Sequence, residues 1–231
     1  MKKMLLLLLF LTAFGLPVAI AQDFSFGLTL DGGFPQGNFK RNVESNGIGL
    51  EGMAAYSVKN SPLTVGLNLG FYNYGNQSRK EFFNPNIPEV RVGVRTTNNI
   101  FTGHFFTRLE AKERIVRPYV DALVGLNYLF TESKVEDDSD FDTIASTTNF
   151  DDTAFSYGLG GGLKFKVADS YDDLGQKLTW FIDLKARYLF GGEADYLKEG
   201  ALRNNNGTLV YDTSRSSTDL FTVGLGFIVA F

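Results

Sequence analysis

Several things are missing from this sequence, and each absence narrows the possibilities. Cysteine is absent from all 231 residues, so neither disulfides nor a lipid-modified N-terminal cysteine contributes to this protein. The 22 basic residues are outnumbered by 26 acidic ones, for a net charge of −4, and nucleic acid is therefore not an expected partner. After residue 14, no apolar run approaches the ~20 residues that a membrane-spanning helix requires.

The N-terminus has the three parts of a secretory signal peptide. Lys2 and Lys3 precede an unbroken apolar stretch over residues 4–14, and residues 19–21 form the small-x-small pattern Ala-Ile-Ala. We predict a cleaved signal over residues 1–21 and a single mature domain over residues 22–231. The alternative, a retained membrane anchor, is disfavoured because the apolar stretch is too short to span a bilayer. The mature protein is exported at least as far as the periplasm.

The last eleven residues alternate in character with a period of two. Phe221, Val223, Leu225 and every second residue up to Phe231 are apolar, whereas Thr222 and Gly224 on the other face are polar or small. This period is that of a β-strand with one apolar face. Seven upstream segments show the same alternation, and the predicted strands cover residues 23–33, 47–58, 63–74, 100–110, 118–130, 153–167, 178–190 and 221–231.

The connections between these segments alternate between short and long. Residues 34–46, 75–99, 131–152 and 191–217 form long polar stretches, and the other connections are short turns. Short periplasmic turns and long extracellular loops are typical of outer-membrane barrels. We therefore predict an all-β fold: a single transmembrane, antiparallel, up-and-down β-barrel of eight strands, with both termini in the periplasm.

Two alternatives to this architecture remain. Val90, Val92 and Val94 alternate with polar or small residues inside the second long loop, which would either extend the fourth strand or form an extra hairpin and give ten strands. A soluble lipocalin-like barrel would need an apolar interior and a polar exterior. Here the glycines, lysines and acids share one face, which is the inverse of that pattern.

Three segments resemble the small outer-membrane β-barrel proteins of the OmpA/OmpX type: R-P-Y-V-D-A-L-V-G-L-N-Y at 117–128, Y-G-L-G-G-G-L-K-F at 157–165 and T-V-G-L-G-F-I-V-A-F at 222–231. The resemblance implies that the final strand is the signal read by the barrel-assembly machinery. The residues that would carry this signal are Thr222, Gly224, Phe227, Val229 and Phe231. Because this fold supports adhesins, enzymes, pores and structural proteins, the resemblance does not select an activity.

Charged residues fall on the predicted inner face of the barrel. An isolated charge in a narrow lumen would be strongly destabilising, so these residues must pair or stay hydrated. We favour a plug of salt bridges, because an eight-stranded interior is barely wide enough for side chains. The alternative is an ion path or an anion site around Lys164, Lys166, Lys185 and Arg187. The predicted lumen charge network comprises Glu51, Arg108, Asp121, Lys164, Lys166, Asp183, Lys185 and Arg187, with Glu110 on the same face.

His104, the only histidine, matters because some small barrels are lipid A hydrolases with a Ser-His pair. A nucleophilic serine needs a base within hydrogen-bond reach. On the predicted neighbouring strands 63–74 and 118–130, no serine lies at a matching position, so we expect His104 to be structural and the protein not to be an enzyme.

The third long loop is rich in carboxylates, at Asp137, Asp138, Asp140 and Asp142, with Asp151 and Asp152 following. These could bind Ca²⁺, but the ligand order and glycine of an EF-hand are absent. We expect a solvated loop, no metal and no cofactor. Aromatic residues near predicted strand ends should anchor the barrel at the headgroup level; they are Tyr128, Phe130, Trp180, Tyr188 and Phe231.

The sequence thus favours an integral outer-membrane protein of a Gram-negative cell, surrounded by outer-membrane lipid and monomeric. Its expected role is structural, or is an interaction with an extracellular ligand or surface partner through the long loops. A narrow porin-like channel is the first alternative, and a lipid-modifying enzyme is the second.

Overall fold

The computed structural model describes residues 23–231 except 44, 85–86, 113, 138–142, 174 and 206–207. The predicted signal peptide lies outside these residues. Within the described residues, ten strands and one short helix follow one another. They are β1 (Phe24–Pro35), α1 (Gly37–Asn42), β2 (Gly47–Ser57), β3 (Leu63–Asn84), β4 (Ile87–Glu110), β5 (Val116–Asp137), β6 (Thr143–Tyr171), β7 (Lys177–Gly191), β8 (Glu193–Asn205), β9 (Thr208–Ser217) and β10 (Leu220–Ala230).

Eight of the strands form a closed antiparallel barrel in the order β1-β10-β7-β6-β5-β4-β3-β2, which confirms the predicted fold class. The barrel closes between the first strand and the last, with Ser25 opposite Ala230 and Pro35 opposite Leu220. The backbone N–H of Phe231 donates to the Phe24 carbonyl at 2.9 Å. The terminal strand therefore has no free edge where it meets β1.

The two remaining strands, β8 and β9, pair only with each other. They come from the last long connection, so the predicted ten-strand alternative was wrong about where extra strands would lie. Val92 and Val94 belong to β4, which pairs there with both β3 and β5, so the alternative in which this segment extends the fourth strand is confirmed. The stretches 75–99 and 131–152, expected to be loops, are largely continuations of β3, β4, β5 and β6.

Side chains alternate between two environments along every barrel strand. On β1, Phe26, Leu28 and Leu30 are exposed on the outer wall, whereas Ser25 and Asp31 are buried inside. The same phase holds on β4, where the alternation of the sequence was weakest: Phe105 points outward, and His104 and Phe106 are buried in the lumen. The outer wall is thus an apolar band that suits hydrocarbon, and the inner wall is mostly polar.

The stagger between strands can be read from the register. Following paired residues from Asp31 through β2, β3 and β4 leads to Leu129 on β5, and following them the other way leads to Tyr119, ten residues lower on the same strand. This shear tilts the strands and fixes the width of the lumen. Side chains from opposite walls can therefore meet.

One end of the barrel is covered by the cap, which consists of α1 and the β8–β9 hairpin. The ring of Phe39 packs edge-on against Tyr74 and Tyr196, with centroid distances of 5.5 and 5.2 Å. The Asn42 amide donates to the Tyr196 hydroxyl at 2.9 Å, and that hydroxyl is 2.8 Å from Ser216 Oγ. The cap lies opposite the end that holds both termini, so we assign it to the extracellular side.

Among the helices of the described residues, none is long and apolar enough to cross a bilayer.

The depth of the lipid-facing side chains in the membrane can be tested on β7 and β6. Leu184 lies on the outer face near the middle of the strand, so Leu184→Arg should lower the free energy of unfolding by about 2–4 kcal/mol. The matched control is Val167→Arg, also outward but near the periplasmic end of the barrel, where the cost should be about 0–1 kcal/mol. Urea titration of the barrel folded into liposomes measures both values, and equal costs would contradict the assignment.

Candidate functional site

Five charged side chains from four strands meet across the middle of the lumen, and we call them the charge network: Glu51 of β2, Arg108 of β4, Asp121 of β5, and Lys185 and Arg187 of β7. All five are buried. Because β2, β4, β5 and β7 lie around the whole circumference, the network joins opposite walls of the barrel.

Arg187 is the centre of the charge network. Its Nη1 lies 2.9 and 3.0 Å from the two carboxylate oxygens of Glu51, and its Nη2 lies 2.9 Å from Asp121 Oδ2. Asp121 in turn accepts from Arg108 Nε at 2.7 Å and from Arg108 Nη2 at 2.9 Å. Lys185 donates to Glu51. Planar guanidinium groups suit this geometry because each offers several donors in a fixed fork.

Asp183 and Tyr119 form the layer beneath the charge network. The Tyr119 hydroxyl lies 2.9 and 3.1 Å from the two oxygens of Asp183. The guanidinium of Arg108 stacks over the Tyr119 ring, 3.6 Å from its centroid. The predicted lumen residue Asp183 therefore contacts the charge network through Tyr119 rather than through a direct ion pair.

A second group of charges fills the lumen nearer the periplasmic end. Lys164 Nζ lies 2.6 Å from one oxygen of Glu110, and Arg117 Nη1 lies 3.5 Å from the other. Both cations also lie over the ring of Phe181, at 4.6 Å for Arg117 and 4.9 Å for Lys164. Lys164, included in the predicted network, is thus paired one layer below the other members.

The structure does not bring Lys166 into the charge network, and this corrects the sequence-based assignment. Lys166 binds Asp169 at 2.8 Å, at the periplasmic end of β6, and Lys177 binds the same oxygen at 2.9 Å. Lys166 pairs in the register with Phe181, whose side chain is buried in the lumen, so Lys166 keeps the inward phase of β6 but lies at the periplasmic mouth of the lumen, below the charge network. Hydrogen bonds from Lys166 and Lys177 lower the pKa of Asp169 to about 2.

Glycines on β6 make room for the long side chains of the charge network. A Cβ on Gly160 would overlap the Arg187 side chain, and a Cβ on Gly162 would overlap the Tyr119 ring and hydroxyl. Asp31 was not included in the predicted network, although it is buried in the lumen beside Gly224; its place on the inner face of β1 was the available signal.

His104 forms a hydrogen bond that the sequence analysis missed. Its Nε2 lies 3.0 Å from Ser156 Oγ. Ser156 is on β6, two strands from His104, and the residue between them in the register is Gly125. Both side chains are fully buried in the lumen, away from the lipid-facing wall. In the described part of the chain, no carboxylate hydrogen bonds to the other ring nitrogen to orient it.

No group of three metal-binding side chains occurs within the residues that the structure describes. The acidic positions Asp138, Asp140 and Asp142 lie outside those residues, so the predicted absence of a calcium site there stays a prediction.

The residues of the predicted assembly signal lie on both faces of β10. Thr222 and Gly224 face the lumen, whereas Phe227 is exposed on the outer wall. Val229 pairs with Phe26 in the register, and the Phe231 ring packs edge-on against the Phe26 ring with a centroid distance of 6.0 Å. Recognition of these residues by the barrel-assembly machinery stays a prediction.

The contribution of Arg187 to the free energy of unfolding can be compared with that of Lys166. Arg187→Met leaves Glu51 and Asp121 buried without their shared partner, and should lower the free energy of unfolding by about 3–5 kcal/mol. Lys166→Met removes a partly exposed ion pair and should cost less than about 1 kcal/mol. Urea titration in liposomes measures both, and similar losses for the two variants would refute the pairing described for Arg187.

Comparisons with known proteins agree with this architecture. Residues 6–228 match the family model for the outer membrane protein beta-barrel domain. Among solved structures, Neisserial surface protein A is 12% identical, with a TM-score of 0.51 and coverage of 90% of this chain and 97% of that chain. A major outer membrane protein of Thermus thermophilus is 15% identical, with a TM-score of 0.43 and coverage of 90% and 99%.

Ail of Yersinia pestis, solved in complex with the heparin analogue sucrose octasulfate, is 14% identical, with a TM-score of 0.38 and coverage of 90% of this chain and 97% of that chain. At these identities, structural likeness concerns the fold alone. No curated protein sequence matches the chain. The family model covers nearly the whole sequence, and the chain therefore belongs to the outer-membrane β-barrel family and is an integral protein of the outer membrane.

Proposed function

We propose that this protein is a non-conducting barrel whose role is to present an interaction surface outside the cell. The observation that carries the proposal is the continuation of four strands beyond the body of the barrel. Pairing of β2 with β3 ends at Ile48 and Asn73, whereas β3 and β4 stay paired as far as Asn84 and Ile87. The strands thus project as a sheet of their own.

The projecting sheet consists of the upper parts of β3, β4, β5 and β6. Pairing of β5 with β6 continues to Glu136 and Thr143, but pairing of β6 with β7 stops at Ser156 and Gly191. Its two outer strands are therefore β3 and β6. An outer strand offers backbone donors and acceptors to an added strand, which is a general mode of protein recognition.

The two edge strands of the projecting sheet differ in how closely the rest of the protein approaches them. Beside β6, the cap approaches closely: Gly192 N donates to the Phe155 carbonyl at 2.7 Å, and Asp195 N donates to Asp152 Oδ2 at 2.8 Å. The β3 edge, over residues 75–84, has β4 as its only ladder partner among the described strands. The β3 edge is the better candidate for contact with a partner.

The lumen supports the non-conducting part of the proposal. The charge network and the Glu110–Lys164 layer cross the interior at two levels, and their charges are paired and buried. Opening a path for ions would separate these pairs in a confined interior, which is energetically costly. The enzyme alternative has less support, because His104 and Ser156 are buried where outer-membrane lipid does not reach them.

The β3–β4 half of the projecting sheet, which carries the β3 edge, can be removed without cutting into the barrel. Asn76 pairs with Thr97, so residues 77–96 can be replaced by an Asn-Gly turn that closes the hairpin at that pair. Cells producing this variant should adhere to protein-coated surfaces no better than cells without the protein, while the barrel keeps its heat-modifiable migration on gels. A control variant shortens the periplasmic hairpin beyond the Ser170–Leu178 pair. Unchanged adhesion by the variant that lacks residues 77–96 would refute the proposal.

Single-channel conductance distinguishes a lumen filled by salt bridges from an open pore. In planar bilayers, the purified protein should give no steady single-channel current, because paired side chains fill the lumen. A reproducible current of nanosiemens size from the intact barrel would establish a pore and contradict the proposal.

A further inference from the structure

On one strand of the lipid-facing wall, two consecutive outward positions carry small residues. On β2, the outward positions are Ile48, Leu50, Gly52, Ala54 and Tyr56, so two consecutive outward residues are small. A Cβ placed on Gly52 would meet no atom within 4 Å. The wall is therefore indented at Gly52 and Ala54, and Leu50 and Tyr56 bound this indentation along the strand.

The neighbouring strands form the two sides of this indentation, which we call the trough. The register places Gly52 between Leu28 of β1 and Leu69 of β3. It places Ala54 between Phe26 and Leu67 on the same two strands. All four flanking side chains are exposed on the outer wall. Large apolar residues thus face each other across a floor of small ones.

The trough continues sideways across the wall as a cavity of about 500 Å³. Besides the residues above, it is lined by Phe227 and Val229 of β10 and by Trp180 of β7. Val229 pairs with both Phe26 and Trp180, so the lining follows the register across β3, β2, β1, β10 and β7. Four spacings between neighbouring strands correspond to about 19 Å. The cavity has the length of an extended hydrocarbon chain, and its side chains are apolar.

The position of the cavity determines what can fill it. It lies on the outer wall of an outer-membrane protein, so its surroundings are hydrocarbon rather than water. Trp180 is near the periplasmic end of β7, and its indole N–H donates to Ser170 Oγ at 3.0 Å; tryptophan is enriched at the membrane–water interface. From Trp180, the cavity runs towards Gly52 in the middle of β2. A groove that stayed empty would lose dispersion contacts along its lining.

A second copy of the barrel fits this cavity poorly. Stable protein interfaces bury about 800 Å² on each partner, and two convex cylinders that met at their troughs would leave a void between them. A flexible hydrocarbon chain can follow the bent path from Trp180 to Gly52. We propose that the cavity is a binding site for one acyl chain of a phospholipid in the periplasmic leaflet, with its headgroup near Trp180.

The only tryptophan of the chain lines the cavity and makes the proposal measurable. Brominated acyl chains quench tryptophan fluorescence on contact, so a phospholipid with a brominated chain can be titrated into the purified barrel in detergent micelles. We expect Trp180 fluorescence to fall in a saturable step that is complete near one lipid per barrel, followed by a shallow linear decrease from unspecific contacts.

Gly52→Leu should abolish the saturable step. The new side chain occupies the trough, and because the space at Gly52 is open and strands tolerate leucine better than glycine, the variant should fold. Ala54→Leu fills the same trough from the next outward position and should act alike. The matched control is Ala186→Leu, which adds the same side chain to an exposed outward position of β7 away from the trough and should leave the step unchanged.

Three results would overturn the proposal. One is a linear decrease without a saturable step in the natural protein, and another is a saturable step that survives both Gly52→Leu and Ala54→Leu. The third is displacement of the brominated phospholipid by lipid A, which would assign the site to the other leaflet. Sedimentation analysis of the same samples tests whether a second copy of the barrel occupies the trough. A dimer that Gly52→Leu dissociates would make the trough an interface between copies and refute lipid binding there.

Discussion

Closure of the hydrogen-bonded ladder is the constraint on which the rest of this structure depends. Within hydrocarbon no water is available to an unpaired N–H or C=O, so every strand needs a partner on both sides. The last strand satisfies this requirement by pairing with β1 along its whole length. Closure with a shear of ten residues then fixes the tilt of the strands and the narrowness of the lumen, and the narrow lumen brings charges from opposite walls into contact.

The interior shows how a polar lumen is made stable without being left open. Arg187 bonds to two carboxylates on different strands, and Asp121 accepts from two guanidinium groups. Glu51, Asp121 and Arg187 each bond to more than one oppositely charged neighbour, which offsets their loss of hydration. The aromatic contacts of the cap cover the extracellular end of the lumen.

Individual residues show what could and could not be predicted from the sequence. On β4, the predicted inward placement of Arg108 and Glu110 was correct even though the large apolar Phe106 shares their face, because the alternation of the whole segment outweighs one residue. Lys166 was wrongly included in the network because a periodic pattern shows which face of a strand a residue lies on but not its depth along the barrel, and Lys166 lies at the periplasmic end, where it binds Asp169. The pairing of His104 with Ser156 was missed because a glycine on the strand between them lets two side chains meet across two strands. The projecting strands were taken for loops because their polar composition lacks the apolar face that identifies a membrane-spanning strand.

The sequence by itself determined the number of barrel strands, the lumen-facing and lipid-facing sides of each, and the outer-membrane class. It could do so because side chains alternate strictly along a strand, and because lipid and lumen demand opposite chemistry on the two faces. Tertiary structure decided which side chains contact one another. The residues that pair with Arg187 lie 136 and 66 positions away in the chain, and the trough at Gly52 exists only because Leu28 and Leu69 flank it. Such contacts depend on register and shear, which are properties of the closed barrel and not of any one segment.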